Sequence, residues 1–262
     1  MSSVIAIAGK GGTGKTTAAA LFIRYLISRN RRPVLAVDAD ADSNLPEAIG
    51  MPQHNTIGKA REEFFQQKGQ VPAGMPKEAF LELKLNQVIT EGKDIDLLVM
   101  GRPEGPGCYC YINNVLRQYL ETLGKNYPFV IIDNEAGLEH LSRRIAQDIN
   151  ALVVVSDYSL NGLRAAARIK ELSEEVHLNA GKICLVINGV PETVSERFMD
   201  EVRATGLTLL GSIPHSDIVP QYDIEKKSLL DLPDTCPVVT ASEDIAGRLF
   251  EDALSARKAQ GG

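Results

Sequence analysis

The chain has 262 residues, 44% hydrophobic and 24% charged, with a net charge of −6, which suits one large α/β core or two small ones. The acidic balance argues against a dedicated nucleic-acid surface, which needs a basic face for phosphates. No apolar run nears the ~20 residues that span a bilayer, and four cysteines do not make a disulfide scaffold, so the expected address is the cytoplasm, with neither nucleic acid nor membrane as partner.

In chain order, strands are expected at 4–8 (VIAIA), 34–38 (VLAVD), 96–100 (DLLVM), 129–133 (FVIID), 151–156 (ALVVVS), 183–188 (ICLVIN) and 207–213 (LTLLGSI). The first is a buried strand rather than a signal peptide, because no basic segment precedes it and a glycine-rich loop follows at once. Most of these runs are continuously apolar, as parallel strands covered on both faces are. Helical patterns fall at 16–29, 112–123, 160–175 and 194–204. This alternation predicts an α/β fold with a doubly wound, mostly parallel sheet. We expect a single domain over 1–262, with a helical insertion at about 50–95 broken by VPAGMP.

GKGGTGKTT, residues 9–17, sits between the first strand and the first helix. It satisfies G-x-x-x-x-G-K-[ST] with Gly9, Gly14, Lys15 and Thr16 in register. The backbone N–H groups of such a loop, here Gly11, Gly12, Thr13, Gly14, Lys15, Thr16 and Thr17, face phosphates, aided by the helix dipole. Lys15 is placed to reach the β- and γ-phosphates, and Thr16 to ligate Mg²⁺. The expected activity is Mg²⁺-dependent ATP hydrolysis by a P-loop NTPase.

The second lysine, Lys10, makes KGGTGKT resemble the deviant phosphate loop of the MinD/ParA and nitrogenase-iron-protein group. That resemblance implies that Lys10 reaches across a homodimer to the partner's nucleotide and acts like an arginine finger in trans. It also implies a first switch in VDADADSN, residues 37–44. There one aspartate orients the attacking water, for which Asp40 is favoured, and Asp38 or Asp42 reaches Mg²⁺. Asp133 ends an apolar strand as a Walker B aspartate does, and Gly137 frees the loop after it. Glu135, Glu139 and His140 read equally well as switch residues or as surface charges at a helix start. Asn188, ending its strand, is the residue such proteins use for the nucleobase, with Ile213 and Pro214 beside it. Position 191 is proline, so the aspartate of an N-K-x-D guanine signature is missing, which favours ATP over GTP.

GPGCYCYINN, residues 105–114, holds half of the cysteines. In an extended strand Cys108 and Cys110 face opposite ways, so chelating one ion needs a turn, which Gly105-Pro106-Gly107 can supply. A disulfide across one residue is a strained small ring. Cys184 reads as a strand cysteine and Cys236 as a loop residue. A homodimer brings two copies of the pair together, and four thiolates suit Zn²⁺ or Ni²⁺.

GCYCYINNVLRQYL followed by VIIDNEAGLEHLSR resembles the CooC/AcsF-type ATPases, nickel-insertion accessory proteins of carbon monoxide dehydrogenase and acetyl-CoA synthase. The resemblance implies Cys108 and Cys110 as metal ligands, Lys10 and Lys15 as signature and catalytic lysines, Ni²⁺ as cargo with Zn²⁺ acceptable to the same site, and an apo form of either enzyme as client. Two stretches depart from it. Ala41 stands where many relatives carry proline, and residues 50–95 match no pattern. Two other readings compete. One is an electron-transfer ATPase with a dimer-bridging iron–sulfur cluster, against which the adjacent C-x-C argues. The other is a MinD/ParA-like positioning ATPase, which has no use for C-x-C and needs a basic membrane helix or DNA face.

Overall fold

A computed structural model describes residues 2–66, 72, 74–101, 119, 122–135 and 148–260. Seven strands form one sheet: β1 (Ser3–Gly9), β2 (Val34–Ala39), β3 (Ile95–Val99), β4 (Phe129–Asn134), β5 (Asp148–Asp157), β6 (Asn179–Val190) and β7 (Thr208–Pro214). Their order is β3-β2-β4-β1-β5-β6-β7, and every neighbouring pair is parallel. Each strand foreseen in the sequence is present, because continuous Val/Ile/Leu/Ala runs satisfy two buried faces at once.

The helices are α1 (Lys15–Ser28), α2 (Leu45–Ala48), α3 (Ile57–Gln66), α4 (Lys77–Asn86), α5 (Leu160–Glu175), α6 (Glu196–Ala204), α7 (Ile218–Ile224) and α8 (Pro237–Gln260), with a 3₁₀ turn at Leu229–Asp231. Alternation along the strands sends Ile5, Ile7, Phe129 and Ile131 to one face and Ala6, Ala8, Val130 and Ile132 to the other. The first face packs on α1 and α8. Phe250 there stands edge-on to Phe129 at 5.6 Å and parallel to Tyr25 at 6.0 Å. The second face buries Phe64, Phe80, Leu163, Ala166, Phe198 and Val202 from α3, α4, α5 and α6.

Ser159 caps α5, its hydroxyl accepting from the Gly162 N–H at 2.9 Å. Two helices, α3 and α4, occupy the stretch around VPAGMP, and nearly all of the helix expected at 112–123 lies outside the described residues. The chain direction turns outward from β1: β4 lies on one side of it and β5 on the other. Such a switch point opens a crevice beyond the carboxyl ends of the strands.

Candidate nucleotide site

That crevice is a cleft of about 710 Å³. The phosphate loop forms one wall with Gly11, Gly12, Gly14, Lys15, Thr16 and Thr17; Asp40, Asp42, Asn44, Glu47 and Glu135 follow around it. The loop is closed by its own backbone. The Lys10 carbonyl accepts from the Thr13 hydroxyl at 2.9 Å and from the buried Lys15 ammonium at 3.3 Å. Gly14 has φ +89°, and a Cβ there would stand 2.0 Å from Nδ2 of Asn188, so the turn requires glycine on two grounds. Lys10 itself is exposed.

Asn188 ends the regular β6 ladder, opposite Ile213 of β7. Its amide donates to the Thr13 carbonyl at 3.0 Å, which ties the expected base-side residue to the phosphate loop. Ile213 is buried under the sheet end, and Pro214 follows it at the rim.

The acidic residues separate by environment. Asp38 still belongs to β2 and pairs in register with Asp133 of β4. It is fully buried, and its two oxygens accept the N–H groups of Asp40 at 3.0 Å and Leu45 at 2.9 Å. Burial pushes its carboxyl up to about 6 against those hydrogen bonds. Its geometry is that of a residue shaping the loop that presents Asp40 and Asp42. Asp40 is partly open and accepts the Asp42 N–H at 3.0 Å.

Asp133 is 1% exposed. Oδ2 accepts the Thr16 hydroxyl at 2.6 Å, whereas Oδ1 is buried with no hydrogen-bond partner among the described residues. Burial raises its carboxyl to about 7; the Thr16 hydroxyl and the Lys15 charge oppose the rise, and the Asp38 and Asp40 charges add to it. The Thr16 hydroxyl and the Asp133 carboxylate, whose Oδ1 is the orphaned oxygen, are hard oxygen donors of the kind Mg²⁺ takes, directly or through its water. The residues present therefore fit the ion.

The opposite wall was not foreseen. It consists of Val219, Pro220 and Asp223 of α7, then Lys227 and Leu229. The one usable signal was position: PHSDIVPQYD follows the last strand directly, where a short helix must return over the crevice. Cys108, Cys110, Gly137, Glu139 and His140 lie outside the described residues. Among the described residues no group of three or more His, Cys, Asp or Glu is arranged to hold a metal ion. Cys184 and Cys236 are free and buried.

A parallel sheet with a phosphate loop after its central strand and an aspartate facing the loop's threonine defines a P-loop ATPase. Residues 4–229 match the CobQ/CobB/MinD/ParA nucleotide binding domain, and the chain belongs to that family. Two curated relatives are similar over nearly the whole chain. An uncharacterised ATP-binding protein of Methanocaldococcus jannaschii is 43% identical over 94% of this chain and 98% of its own. The carbon monoxide dehydrogenase accessory protein CooC of Rhodospirillum rubrum is 31% identical over 88% of this chain and 91% of its own. Among solved structures, MinD from the MinC:MinD complex of Aquifex aeolicus superposes with a TM-score of 0.72 at 20% identity, covering 95% of this chain and 96% of that one. MinD of Pyrococcus horikoshii, complexed with Mg-ADP, gives 0.68 at 19% identity, covering 97% and 98%. These structures share the fold.

Proposed function

We propose that this ATPase is a nickel-insertion factor. Two copies hold one Ni²⁺ through Cys108 and Cys110 of each, and ATP turnover changes the dimer so that the ion passes to apo carbon monoxide dehydrogenase or acetyl-CoA synthase in the cytoplasm. The observation that carries this reading is the C-x-C pair on a deviant phosphate-loop chain that is 31% identical to CooC. Four thiolates form a square-planar or tetrahedral set that accepts Ni²⁺ or Zn²⁺.

The chemistry divides as follows. The loop from Gly9 to Thr17 cradles the phosphates, and Lys15 leaves the Lys10 carbonyl to reach the β- and γ-phosphates. Thr16 and Asp133, with Asp42 through water, would hold Mg²⁺, which would supply charge neutralisation to the transferred phosphoryl group. Asp38 holds the 38–44 loop by its two backbone contacts, which leaves Asp40 to orient the attacking water. Lys10, exposed at the rim, enters the partner's cleft as the γ-phosphate leaves. Asn188, Ile213 and Pro214 border the adenine, since an amide both donates and accepts at its edge. A site open to a second copy is suited to coupling hydrolysis to metal affinity, because closing the dimer and assembling the thiolates are one motion.

The test is reactivation of a nickel-free client. The Ni²⁺-loaded protein with ATP should restore activity at nickel concentrations where free Ni²⁺ does not. The Cys108→Ala/Cys110→Ala variant, or replacement of ATP by a non-hydrolysable analogue, should remove the effect. Equal restoration by the double cysteine variant would end the proposal.

A further inference from the structure

Arg24 is a buried residue of α1, nine residues after Lys15, about 13 Å down the helix. Its side chain is only 10% exposed. A buried cation in a helix that carries a phosphate loop is costly unless every N–H finds an acceptor. Here Nε donates to the Leu230 carbonyl at 3.2 Å and Nη2 to the Leu232 carbonyl at 2.9 Å. Nη2 also meets the Asp234 carboxylate, and Nη1 lies 3.6 Å from Glu243 of α8. The fork thus grips the turn at 230–234 from inside.

Immediately before that turn come Lys227 and Leu229, which line the nucleotide cleft. Between them, the Ser228 hydroxyl accepts the Leu230 N–H at 3.2 Å and donates to the Ala48 carbonyl of α2 at 3.4 Å. Gly50, at φ +68°, lies so close that a Cβ would stand 2.8 Å from Cβ of Ser228. Upstream, α2 is joined to the 38–44 loop through the Asp38–Leu45 contact at 2.9 Å. One hydrogen-bonded path therefore runs from the phosphate-loop helix, through Arg24 and the 230–232 carbonyls, to Ser228, α2 and the acidic loop.

We propose that Arg24 is a positioning residue for nucleotide binding, fixing the far wall of the cleft at the distance that the phosphate loop requires. The role needs a planar fork that satisfies two carbonyls at once, which a lysine ammonium does not reproduce. Removing the fork leaves the Leu230 and Leu232 carbonyls without this donor and lets the 227–229 wall relax outward. The γ-phosphate and its lysine are untouched, so the loss falls on ground-state binding rather than on the chemical step. The inference concerns nucleotide binding alone and stands or falls independently of the nickel reading.

The experiment is steady-state ATP hydrolysis and ADP calorimetry on the full chain, with melting curves recorded beside them. Arg24→Met and Arg24→Lys should both raise KM for ATP and the ADP Kd by roughly tenfold, with kcat within about twofold, the mark of lost uniform binding. Asp234→Asn, which removes the charge of a 91%-exposed partner, should leave KM unchanged. Ser228→Ala breaks the path at its cleft end without opening the Arg24 site, and the loss of both long hydroxyl hydrogen bonds there should raise KM at least about threefold. A lowered Tm with unchanged KM in the Arg24 variants would make the residue a plain structural clamp and overturn the proposal. Where those variants fail to fold, an unchanged KM in Ser228→Ala overturns it equally.

Discussion

Asp133→Asn should stabilise this protein while destroying its activity. The wild-type carboxyl is 1% exposed, and burial lifts it from 3.8 to about 7. A rise of that size corresponds to about 4 kcal/mol between the two protonation states. The sign follows from linkage. The folded state holds the proton more tightly than the unfolded chain does. The neutral carboxyl therefore favours folding below about pH 4, and that advantage is lost as pH climbs through 7. Above 7 the ionised group burdens the fold wherever Mg²⁺ is withheld. Asparagine is neutral at every pH, and its carbonyl oxygen still accepts from the Thr16 hydroxyl, which sits at 2.6 Å in the wild type. Its NH₂ needs a partner of its own, which offsets roughly half of the gain. In chelator at pH 8 the variant should be more stable by about 2 kcal/mol, a Tm higher by about 4–8 °C for a domain of this size. At pH 5 the difference should be near zero: the unfolded chain is already ionised there, which costs the wild type about 1.6 kcal/mol, and the unpaired NH₂ of asparagine offsets that amount. Phosphate release with Mg²⁺ at pH 8 should fall at least about a hundredfold, since charge neutralisation at the transferred phosphoryl group is lost. Melting curves at the two pH values decide the matter. A variant that melts at or below wild type at pH 8, or gains equally at pH 5, would refute the burial argument.

Gly14→Ala should weaken ATP binding by about tenfold or more, because φ +89° strains alanine and its methyl displaces the Asn188 amide; calorimetry reads it directly. Ser159→Ala removes the α5 cap and should cost about 1 kcal/mol, lowering Tm by about 2–4 °C with no change in KM for ATP. Lys10→Ala should abolish ATP hydrolysis yet leave metal binding by the isolated protein intact. Cys108→Ala should do the reverse. Phosphate release and bound-metal analysis on the same two samples separate these outcomes.

The strands were legible because each is a short, continuous apolar run, and burial on both faces of a parallel sheet demands nothing else. The phosphate loop was legible because its glycines and lysine have fixed spacing between a strand and a helix. The far wall of the cleft was not. Its helix α7 is seven residues long, and none of its side chains is fully buried, so it leaves no periodic pattern to read. Spacing also could not rank Asp38, Asp40 and Asp42. The division comes from depth: Asp38 is still in the strand, fully buried with both oxygens taken by backbone N–H groups, and Asp40 lies just beyond it in the open loop. Arg24 gave no signal, since two of its partners are main-chain carbonyls 206 and 208 positions away, which carry no side-chain identity, and its carboxylate partners Asp234 and Glu243 are as distant in the chain.

The proposed function requires two chains to share one nickel ion through Cys108 and Cys110 under nucleotide control. The most direct measurement is an anaerobic Ni²⁺ titration of the full chain with mass determination in solution. It would be run without nucleotide, with ADP and with ATP, on wild type and on Cys108→Ala/Cys110→Ala. One Ni²⁺ per pair of chains, an affinity that changes with nucleotide, and loss of the ion in the double variant are expected. Nucleotide-driven dimers that bind no Ni²⁺, or binding that survives removal of both cysteines, would contradict the proposal.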